Sequence, residues 1–255
     1  MVQFLSNFFK TIRPKQALKN LALFAPLVFS GGLLIPEKFL TTLRGVIIFT
    51  IMTSSVYIFN DIIDLPKDRL HPYKKNRPIA KGSLPLPIAL FISIIGFSTA
   101  LQLAYWQGFF FFLTLFAYFI LQILYSLCLK KIVIADILVI ATGFVLRVYA
   151  GAFILGIHMS VWFLLCVISL ALFLAAGKRR SELNIIAKSP LKLKTRETLV
   201  FYSPELLDSY LSMFPMPLGL PTPLLLFFSH RLPLPDISPL SPICRSLWPE
   251  LINGL

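Results

Sequence analysis

The sequence predicts an all-α protein, a polytopic transmembrane bundle of about six helices. Hydrophobic residues make up 57% of the 255-residue chain and charged residues 14%, and the mean hydropathy is +0.81. These values are typical of membrane proteins. In addition, the 48 residues from Gly82 to Leu129 contain no Asp, Glu, Lys or Arg. Because one span needs about 20 apolar residues, this stretch predicts two helices joined by a short loop.

Hydropathy places the predicted spans, in chain order, at residues 21–36, 43–59, 86–104, 109–127, 137–155 and 161–177. Basic residues precede the first span and cluster at 60–81, 130–131 and 178–196, so alternate crossing puts all four clusters on one side. The positive-inside rule makes that side cytoplasmic. We therefore expect a multi-pass protein of the cell (inner) membrane, with its N-terminus and the charged loops, which include any active-site loops, in the cytoplasm. The net charge of +13 follows from this topology, and no nucleic-acid partner is predicted.

The second predicted span ends in "NDIID", which brings Asn60, Asp61 and Asp64 to its cytoplasmic end. Asp61 and Asp64 are three residues apart and therefore share a helix face. Helix is disfavoured at the residue before Pro66, so we expect Asp68 to lie in a bend that returns towards the other two aspartates. Carboxylates this close repel one another unless a cation lies among them. Mg²⁺, which prefers oxygen ligands, fits the set.

Cationic side chains follow in the same stretch, namely Lys67, Arg69, Lys74, Lys75, Arg77 and Lys81. Arginine in particular matches phosphate oxygens with two parallel hydrogen bonds. Carboxylates for a metal beside cations for phosphate predict a diphosphate site. The residues alone leave a second interpretation open, in which the charges of a solvated loop pair locally and mark the cytoplasmic side.

The segment "NDIIDLPKDRLHPYKKNRPIAKG" resembles the first aspartate-rich motif, N-D-x-x-D-x-x-x-D, of the UbiA superfamily of intramembrane prenyltransferases. Asn60, Asp61, Asp64 and Asp68 match the four polar positions of that motif. The resemblance implies a UbiA-type helical bundle in which Asp61, Asp64 and Asp68 bind Mg²⁺ and act in catalysis.

Two further segments, "YSLCLKKIVIADILVIATGFVLRVYAG" from Tyr125 and "LAAGKRRSEL" from Leu174, resemble the branch that contains decaprenyl-phosphate phosphoribosyltransferases. Such enzymes move 5-phosphoribose from phosphoribosyl diphosphate to a polyprenyl phosphate and release diphosphate, a step towards sugar donors for the cell envelope. The superfamily's second motif is often D-x-x-x-D, but Ile140 stands four residues after Asp136. This departure favours the phosphoribosyl branch over an ordinary aromatic prenyltransferase.

The resemblance also suggests which side chains hold the two substrates. Lys74 and Arg77 are expected on the leaving diphosphate. Lys130, or Lys178 with Arg179, is expected on the polyprenyl phosphate, whose tail would lie in the lipid bilayer among the spans. The expected substrate-binding residues are Asn60, Lys74, Arg77, Lys130, Asp136, Lys178 and Arg179. Arg147, about 16 Å into the fifth span, is either a structural or a substrate-facing cation.

The composition changes near residue 213, which predicts a UbiA-like transmembrane domain at 1–213 and an atypical Pro/Leu-rich tail at 214–255. The tail holds nine of the nineteen prolines, and proline interrupts helices. We expect the family's last spans to be missing or altered here by a frameshift or truncation. Two alternatives to the phosphoribosyl function remain. One is a UbiA-type prenyltransferase that moves a polyprenyl group from its diphosphate to an aromatic or lipid acceptor; the other is a truncated, inactive family member.

Overall fold

The computed structural model describes residue 11 and residues 13–70, 74–132, 135–187 and 206–209. Across these ranges the regular structure is helical and contains no β-strand. The tail predicted at 214–255 lies outside the described residues. The all-α class predicted from hydropathy is confirmed.

The chain first forms one short helical run in place of the predicted span at 21–36. It consists of α1 (Pro14–Ala17), a 3-10 segment (Leu18–Phe24) and α2 (Ala25–Phe29). The run ends early because Ser30 is followed by Gly31 in the left-handed conformation, with φ 70°, which glycine adopts without a Cβ clash. This helix therefore begins and ends earlier than predicted.

Five longer helices are apolar and long enough to cross a membrane. The first, α3 (Pro36–Ile63), begins with a proline, whose missing N–H costs nothing at a helix start. The short helix α4 (Leu65–Leu70) follows it. The other long helices are α5 (Leu86–Gln107), α6 (Phe109–Leu127), α7 (Ala135–Leu155) and α8 (Val161–Ala187), of which Val161–Arg180 is the apolar part. With the short N-terminal helix, they match the prediction of about six spans.

Small residues are buried where two of the helices meet, and many large apolar residues face outward. Ala100 and Ala104 of α5 are fully buried against α3, as is common where membrane helices approach closely. Phe91, Phe109 and Val161 have exposed fractions of 65%, 63% and 80%. Such outward-facing apolar surface suits lipid rather than water.

One close contact seats the N-terminal helix on α7. A Cβ at Gly151 would lie 2.1 Å from the backbone oxygen of Leu23, so any residue other than glycine would clash at this position. The backbones of the 3-10 segment and α7 therefore touch, and Leu23 itself is fully buried. This contact fixes the neighbouring residues of the 3-10 segment beside α7.

Candidate active site

The three aspartates of the motif lie around the end of α3. Helix α3 ends at Ile63, where the N–H of Asp64 donates to the carbonyl of Asn60 at 2.9 Å. Pro66 then occupies the first turn of α4, where its lack of an N–H is tolerated. The N–H of Asp68 donates to the carbonyl of Asp64 at 2.8 Å. The expected bend is thus placed at Asp64, and Asp68 lies in a short helix rather than in the bend.

Asp61 is 3% exposed and is bound by a cation from the N-terminal segment. Arg13 Nη2 donates to both carboxylate oxygens of Asp61, at 2.6 and 2.7 Å. The guanidinium also lies 5.2 Å from the centre of the Tyr57 ring, a cation–π distance. Charge-assisted hydrogen bonds of this kind offset the cost of burying the Asp61 carboxylate.

Arg13 holds this position with a rare backbone conformation. Its φ and ψ are 55° and 62°, in the left-handed region that residues with a Cβ seldom occupy. The following Pro14 disfavours the right-handed helical conformation at Arg13. The left-handed conformation costs about 1–2 kcal/mol, and the bonds to Asp61 offset it.

Asp68, which is also buried, shares a second cation with Asp61. Arg77 Nη1 donates to Asp68 Oδ2 at 2.6 Å and to Asp61 Oδ1 at 3.0 Å. Two carboxylates from α3 and α4 therefore converge on a single positively charged atom. An arrangement that gathers negative charge around one point is the kind of site that binds a cation.

The loop after α4 places Arg77 in this position. The N–H of Arg77 donates to the carbonyl of Lys74 at 3.0 Å. Two residues later Ile79, 3% exposed, packs with Ile58 of α3 and with Leu84. The apolar residues of "RPIAKG" thus fix the loop against α3, which holds Arg77 over the aspartates.

Asp64 is bound by a third cation, from the loop after α6. Lys130 Nζ donates to Asp64 Oδ1 at 2.5 Å, and Asn60 Nδ2 donates to Asp64 Oδ2 at 3.2 Å. Lys130 lies in the 3-10 segment Leu129–Lys131. The structure therefore brings together most of the residues predicted for the site: Asn60, Asp61, Asp64, Asp68, Arg77 and Lys130.

A second buried group joins α6, α7 and α8. Arg179 Nε lies 2.5 Å from Asp136 Oδ2, with both side chains at most 1% exposed. The Tyr125 hydroxyl donates to Asp136 Oδ1 at 2.6 Å. Asp136 and Arg179 were predicted to bind substrate, and here they bind each other. Lys178, their neighbour in α8, is exposed.

Arg147, predicted to be either a structural or a substrate-facing cation, is enclosed by neutral groups. It is 5% exposed and donates to Asn20 Oδ1 at 2.9 Å, to the carbonyl of Gly143 and to the Tyr118 hydroxyl at 3.0 Å. Its guanidinium also lies within 6 Å of three aromatic ring centres, those of Phe49, Tyr118 and Phe144. Arg147 thus braces α7 against the N-terminal helix.

The carboxylates offer hard oxygen ligands of the kind that Mg²⁺ prefers. Among the described residues, no group of three or more His, Cys, Asp or Glu side chains is arranged to enclose a metal ion. Mg²⁺ usually needs only one or two carboxylates, because phosphates and waters complete its shell. The convergence of Asp61 and Asp68 on one cationic atom fits that requirement.

Sequence reasoning missed Arg13 as a member of this site. The positive-inside rule fully accounted for its charge, so there was no reason in the sequence to predict it as a partner of Asp61. The sequence signal that could have identified it is the pair Arg13-Pro14. Pro14 begins the N-terminal helix, so Arg13 lies just before the helix, at the same end of the bundle as the aspartate motif. Around the site lies an exposed rim of cations, Lys67, Arg69, Lys75 and Lys81.

The profile of the UbiA prenyltransferase family matches residues 21–183. The chain belongs to the UbiA prenyltransferase family. The superfamily expected from the aspartate motif is therefore confirmed, and this UbiA chain is an integral membrane protein.

Similar UbiA-family proteins include decaprenyl-phosphate phosphoribosyltransferases. That of Corynebacterium glutamicum is 34% identical over 202 residues, which cover 78% of this chain and 60% of the relative. That of Mycolicibacterium smegmatis is 32% identical over 193 residues, covering 74% and 61%. The chain thus spans about three fifths of the length of these curated relatives.

Solved UbiA structures share the fold. A UbiA homolog from Archaeoglobus fulgidus bound to GPP and Mg²⁺ matches with a TM-score of 0.69 and 21% identity, over 91% of this chain and 80% of that chain. The same homolog bound to Cd²⁺ matches with a TM-score of 0.65 and 19% identity, over 97% and 85%. At this identity the likeness establishes the fold alone.

Proposed function

We propose that this chain moves 5-phosphoribose from phosphoribosyl diphosphate to a polyprenyl phosphate, with Mg²⁺ bound and with release of diphosphate. The observation that carries the proposal is the convergence of Asp61 and Asp68 on one cationic atom of Arg77. Such a site combines oxygen ligands for a metal with donors for phosphate. The named relatives and the Ile140 in place of a second aspartate support the phosphoribosyl donor.

The cations and carboxylates of the site have complementary tasks in this proposal. Asp61, Asp64 and Asp68 would hold Mg²⁺, which would neutralise part of the negative charge that develops on the departing diphosphate. Arg13 and Arg77 turn from the carboxylates to the oxygens of the diphosphate and stabilise the same charge.

The remaining predicted residues surround the two substrates. Lys130 leaves Asp64 for a phosphate oxygen, while Asn60 keeps Asp64 oriented through its 3.2 Å hydrogen bond. Lys74 lies beside Arg77 and adds a donor for the diphosphate, and Lys178 binds the lipid phosphate. The buried pair of Asp136 in α7 and Arg179 in α8 fixes α8, and with it Lys178.

The transfer step needs little further chemistry. An oxygen of the lipid phosphate attacks the anomeric carbon of the donor and forms the new bond. The bond from that carbon to the diphosphate oxygen breaks, and its electron pair leaves with diphosphate. The acceptor is already an anion, so no general base is required. We place the reaction at the cytoplasmic surface of the inner membrane, where the soluble donor meets the lipid phosphate.

The experiment supplies membranes that contain the 255-residue chain with labelled phosphoribosyl diphosphate and a polyprenyl phosphate, with and without Mg²⁺. We expect labelled lipid only when Mg²⁺ is present. A parallel reaction with a labelled prenyl diphosphate and an aromatic acceptor tests the alternative activity. Labelled product from that reaction alone would replace the phosphoribosyl proposal with prenyl transfer.

Asp61→Asn and Asp68→Asn test the assignment of the site. We expect each variant to lose at least 100-fold in rate, because the metal loses a charged ligand. The matched control is Asp208→Asn, an exposed aspartate that pairs with Arg180 and not with the cations that bind the motif's aspartates. Near-normal transfer by Asp61→Asn would contradict the proposed metal ligands.

A further inference from the structure

Tyr57 lies one helical turn before Asp61, on the same face of α3. Four residues correspond to a rise of about 6 Å, and the side chains of a helix tilt towards its N-terminus. Because the aspartate motif ends α3, this tilt carries the Tyr57 ring towards the membrane interior. The ring is half-buried, and the Arg13 guanidinium that binds Asp61 lies 5.2 Å from its centre. Tyr57 therefore adjoins the candidate active site on its membrane side.

The Tyr57 hydroxyl is not engaged by the protein. It forms no hydrogen bond with any other residue in the part of the chain that the structure describes. By contrast, the hydroxyls of Tyr118 and Tyr125 bond to Arg147 and Asp136. Tyrosine hydroxyls away from water usually find a hydrogen-bond partner, so this one can take its partner from a bound ligand.

The face of α3 that leads inward from Tyr57 is polar. Thr53 and Thr50 accept from Asn20 Nδ2 at 3.1 and 3.0 Å, and Asn20 accepts from Arg147. Polar groups therefore extend from the aspartates into the membrane-spanning part of the bundle. An isoprenoid chain along this face would offer these groups no hydrogen bond. A phosphorylated sugar offers hydroxyls and negative charge.

We propose that Tyr57 determines the donor specificity of the site, through a hydrogen bond from its hydroxyl to a ribose hydroxyl of phosphoribosyl diphosphate. The inference rests on the proposed function, in which Arg13 leaves Asp61 for the diphosphate and uncovers the Tyr57 ring. The group attached to the diphosphate then lies beside the phenol. A ribose accepts its hydrogen bond, whereas a prenyl group leaves the hydroxyl without a partner. A site that bonds a substrate hydroxyl discriminates strongly against an analogue without one.

Equilibrium binding to the purified 255-residue chain in detergent tests this inference. The probes are labelled phosphoribosyl diphosphate, geranyl diphosphate and inorganic diphosphate, each with Mg²⁺. Tyr57→Phe removes the hydroxyl and keeps a ring beside Arg13, while Tyr57→Leu removes both. Tyr105→Phe is the matched control, because Tyr105 is 61% exposed and lies near the end of α5, at the opposite end of the bundle from the aspartates.

We expect Tyr57→Phe to raise the Kd of phosphoribosyl diphosphate at least tenfold and to change the Kd of inorganic diphosphate less than twofold. The Kd of geranyl diphosphate should stay the same or fall. Tyr57→Leu should also weaken the binding of inorganic diphosphate, because Arg13 loses the ring. A merely structural defect would weaken all three probes alike. An unchanged ratio of the phosphoribosyl and geranyl Kd values in Tyr57→Phe would overturn the inference.

Donor analogues that lack the 2-hydroxyl or the 3-hydroxyl of the ribose give a second measurement, which needs only the wild-type chain. One of the two should bind at least tenfold more weakly than the donor. In Tyr57→Phe that analogue and the donor should bind within twofold of each other. Thermal unfolding shows whether Tyr57→Phe is folded, and if it is not, the analogues decide. Wild-type binding of both analogues as tight as that of the donor would exclude the hydrogen bond.

These outcomes separate the inference from the proposed function. If Tyr57→Phe loses phosphoribosyl diphosphate but the wild-type chain makes no phosphoribosylated lipid, the role of Tyr57 stands and the reaction is wrong. If the wild-type chain makes that lipid and Tyr57→Phe keeps the wild-type ratio, the role of Tyr57 alone is wrong. A wild-type chain that binds geranyl diphosphate and not phosphoribosyl diphosphate overturns both.

Discussion

Arg77 Nη1 lies 2.6 Å from Asp68 Oδ2 and 3.0 Å from Asp61 Oδ1. In the proposed function, this position between the two carboxylates is the one that Mg²⁺ would take. Arg13 and Lys130 bind the motif's aspartates in the same manner. Any metal that enters must displace internal cations, and these cations need a new anion.

We therefore expect Mg²⁺ and diphosphate to bind together. Calorimetric titration of the full-length chain with Mg²⁺ should give at least a tenfold lower Kd when diphosphate is present, because the phosphates accept the displaced Arg77 and Arg13. Arg77→Gln should weaken diphosphate binding while it strengthens the binding of Mg²⁺ alone. The control is Arg180→Gln, which removes an arginine bound to Asp208. Equal Mg²⁺ affinity with and without diphosphate in the wild type would contradict this coupling.

Asn20→Ala should destabilise the fold through Arg147. The substitution leaves Arg147 Nε without its buried acceptor, which costs about 1–3 kcal/mol. The measurement is thermal unfolding in detergent, with Thr99→Ala as a control, since the exposed Thr99 hydroxyl bonds only its own helix. A double-mutant cycle with Arg147→Met should give a coupling energy above about 0.5 kcal/mol. Additive effects would show that the 2.9 Å contact contributes nothing.

The buried pair of Asp136 and Arg179 should respond differently to single and double substitution. Asp136→Leu or Arg179→Met alone leaves an unpaired buried charge, which costs about 3–5 kcal/mol. The double variant removes both charges and should unfold at a temperature closer to that of the wild type. The exposed pair of Asp208 and Arg180 serves as the comparison. A double variant less stable than either single variant would argue against this account.

Gly151→Ala should be far more damaging than Gly143→Ala on the same helix. The added methyl at Gly151 meets the backbone of Leu23 at 2.1 Å, whereas at Gly143 the nearest atom, Arg147 Nη1, is 3.4 Å away. Forcing the backbones apart costs about 1–3 kcal/mol. The two unfolding temperatures in detergent provide the test, and equal values would exclude the close contact.

The depressed pKa of Lys19 predicts how stability depends on pH. Lys19 loses its proton near pH 8 in the folded protein and near 10.5 when unfolded, so between these values the unfolded state binds more protons. Stability should therefore rise as pH increases from about 8 towards 10.5. Below pH 8 Lys19 is charged in both states, so the free-energy cost of the charged side chain in the folded protein is fully present. Burial is the main cause of the lowered pKa of Lys19, and the positive charges of Lys178 and Arg147 add to it.

The measurement compares unfolding temperatures of the wild type and Lys19→Met across that range, with Lys38→Met as the control for general lysine titration. The rise attributable to Lys19 is the difference between the wild-type and Lys19→Met curves. Parallel curves from pH 8 to 10.5 would show that Lys19 titrates normally in the folded state.

Hydropathy was sufficient to predict the long helices, because twenty apolar residues have few other stable arrangements. The aspartates and Arg77 could be predicted as neighbours because they lie close together in the chain. Arg13 and Lys130 reach the same carboxylates from 48 and 66 residues away, which depends on how helices pack. The pairing of Arg179 with Asp136 could not be predicted for the same reason. Taken alone, Arg179 is explained by the positive-inside rule and Asp136 by its place in the first turn of a helix.

Single glycine and proline residues determine where the helices begin and end, and a hydropathy average over many residues does not detect them. Gly31 stops the N-terminal helix before the predicted residue 36, and Pro36 starts α3 well before residue 43. The glycine at 151 permits a backbone contact that no periodicity reveals.

The exposed rim of the site should affect the association rate of an anionic ligand, and the charge-balanced interior should affect its dissociation rate. The three aspartates face three cations, so the interior of the site attracts a distant anion only weakly. Among the described residues the exposed rim, Lys67, Arg69, Lys75 and Lys81, forms no ion pair. In the proposed function, the rim would attract the diphosphate of the donor from a distance. The association rate should therefore fall steeply with ionic strength, while the dissociation rate, set by buried contacts, changes little.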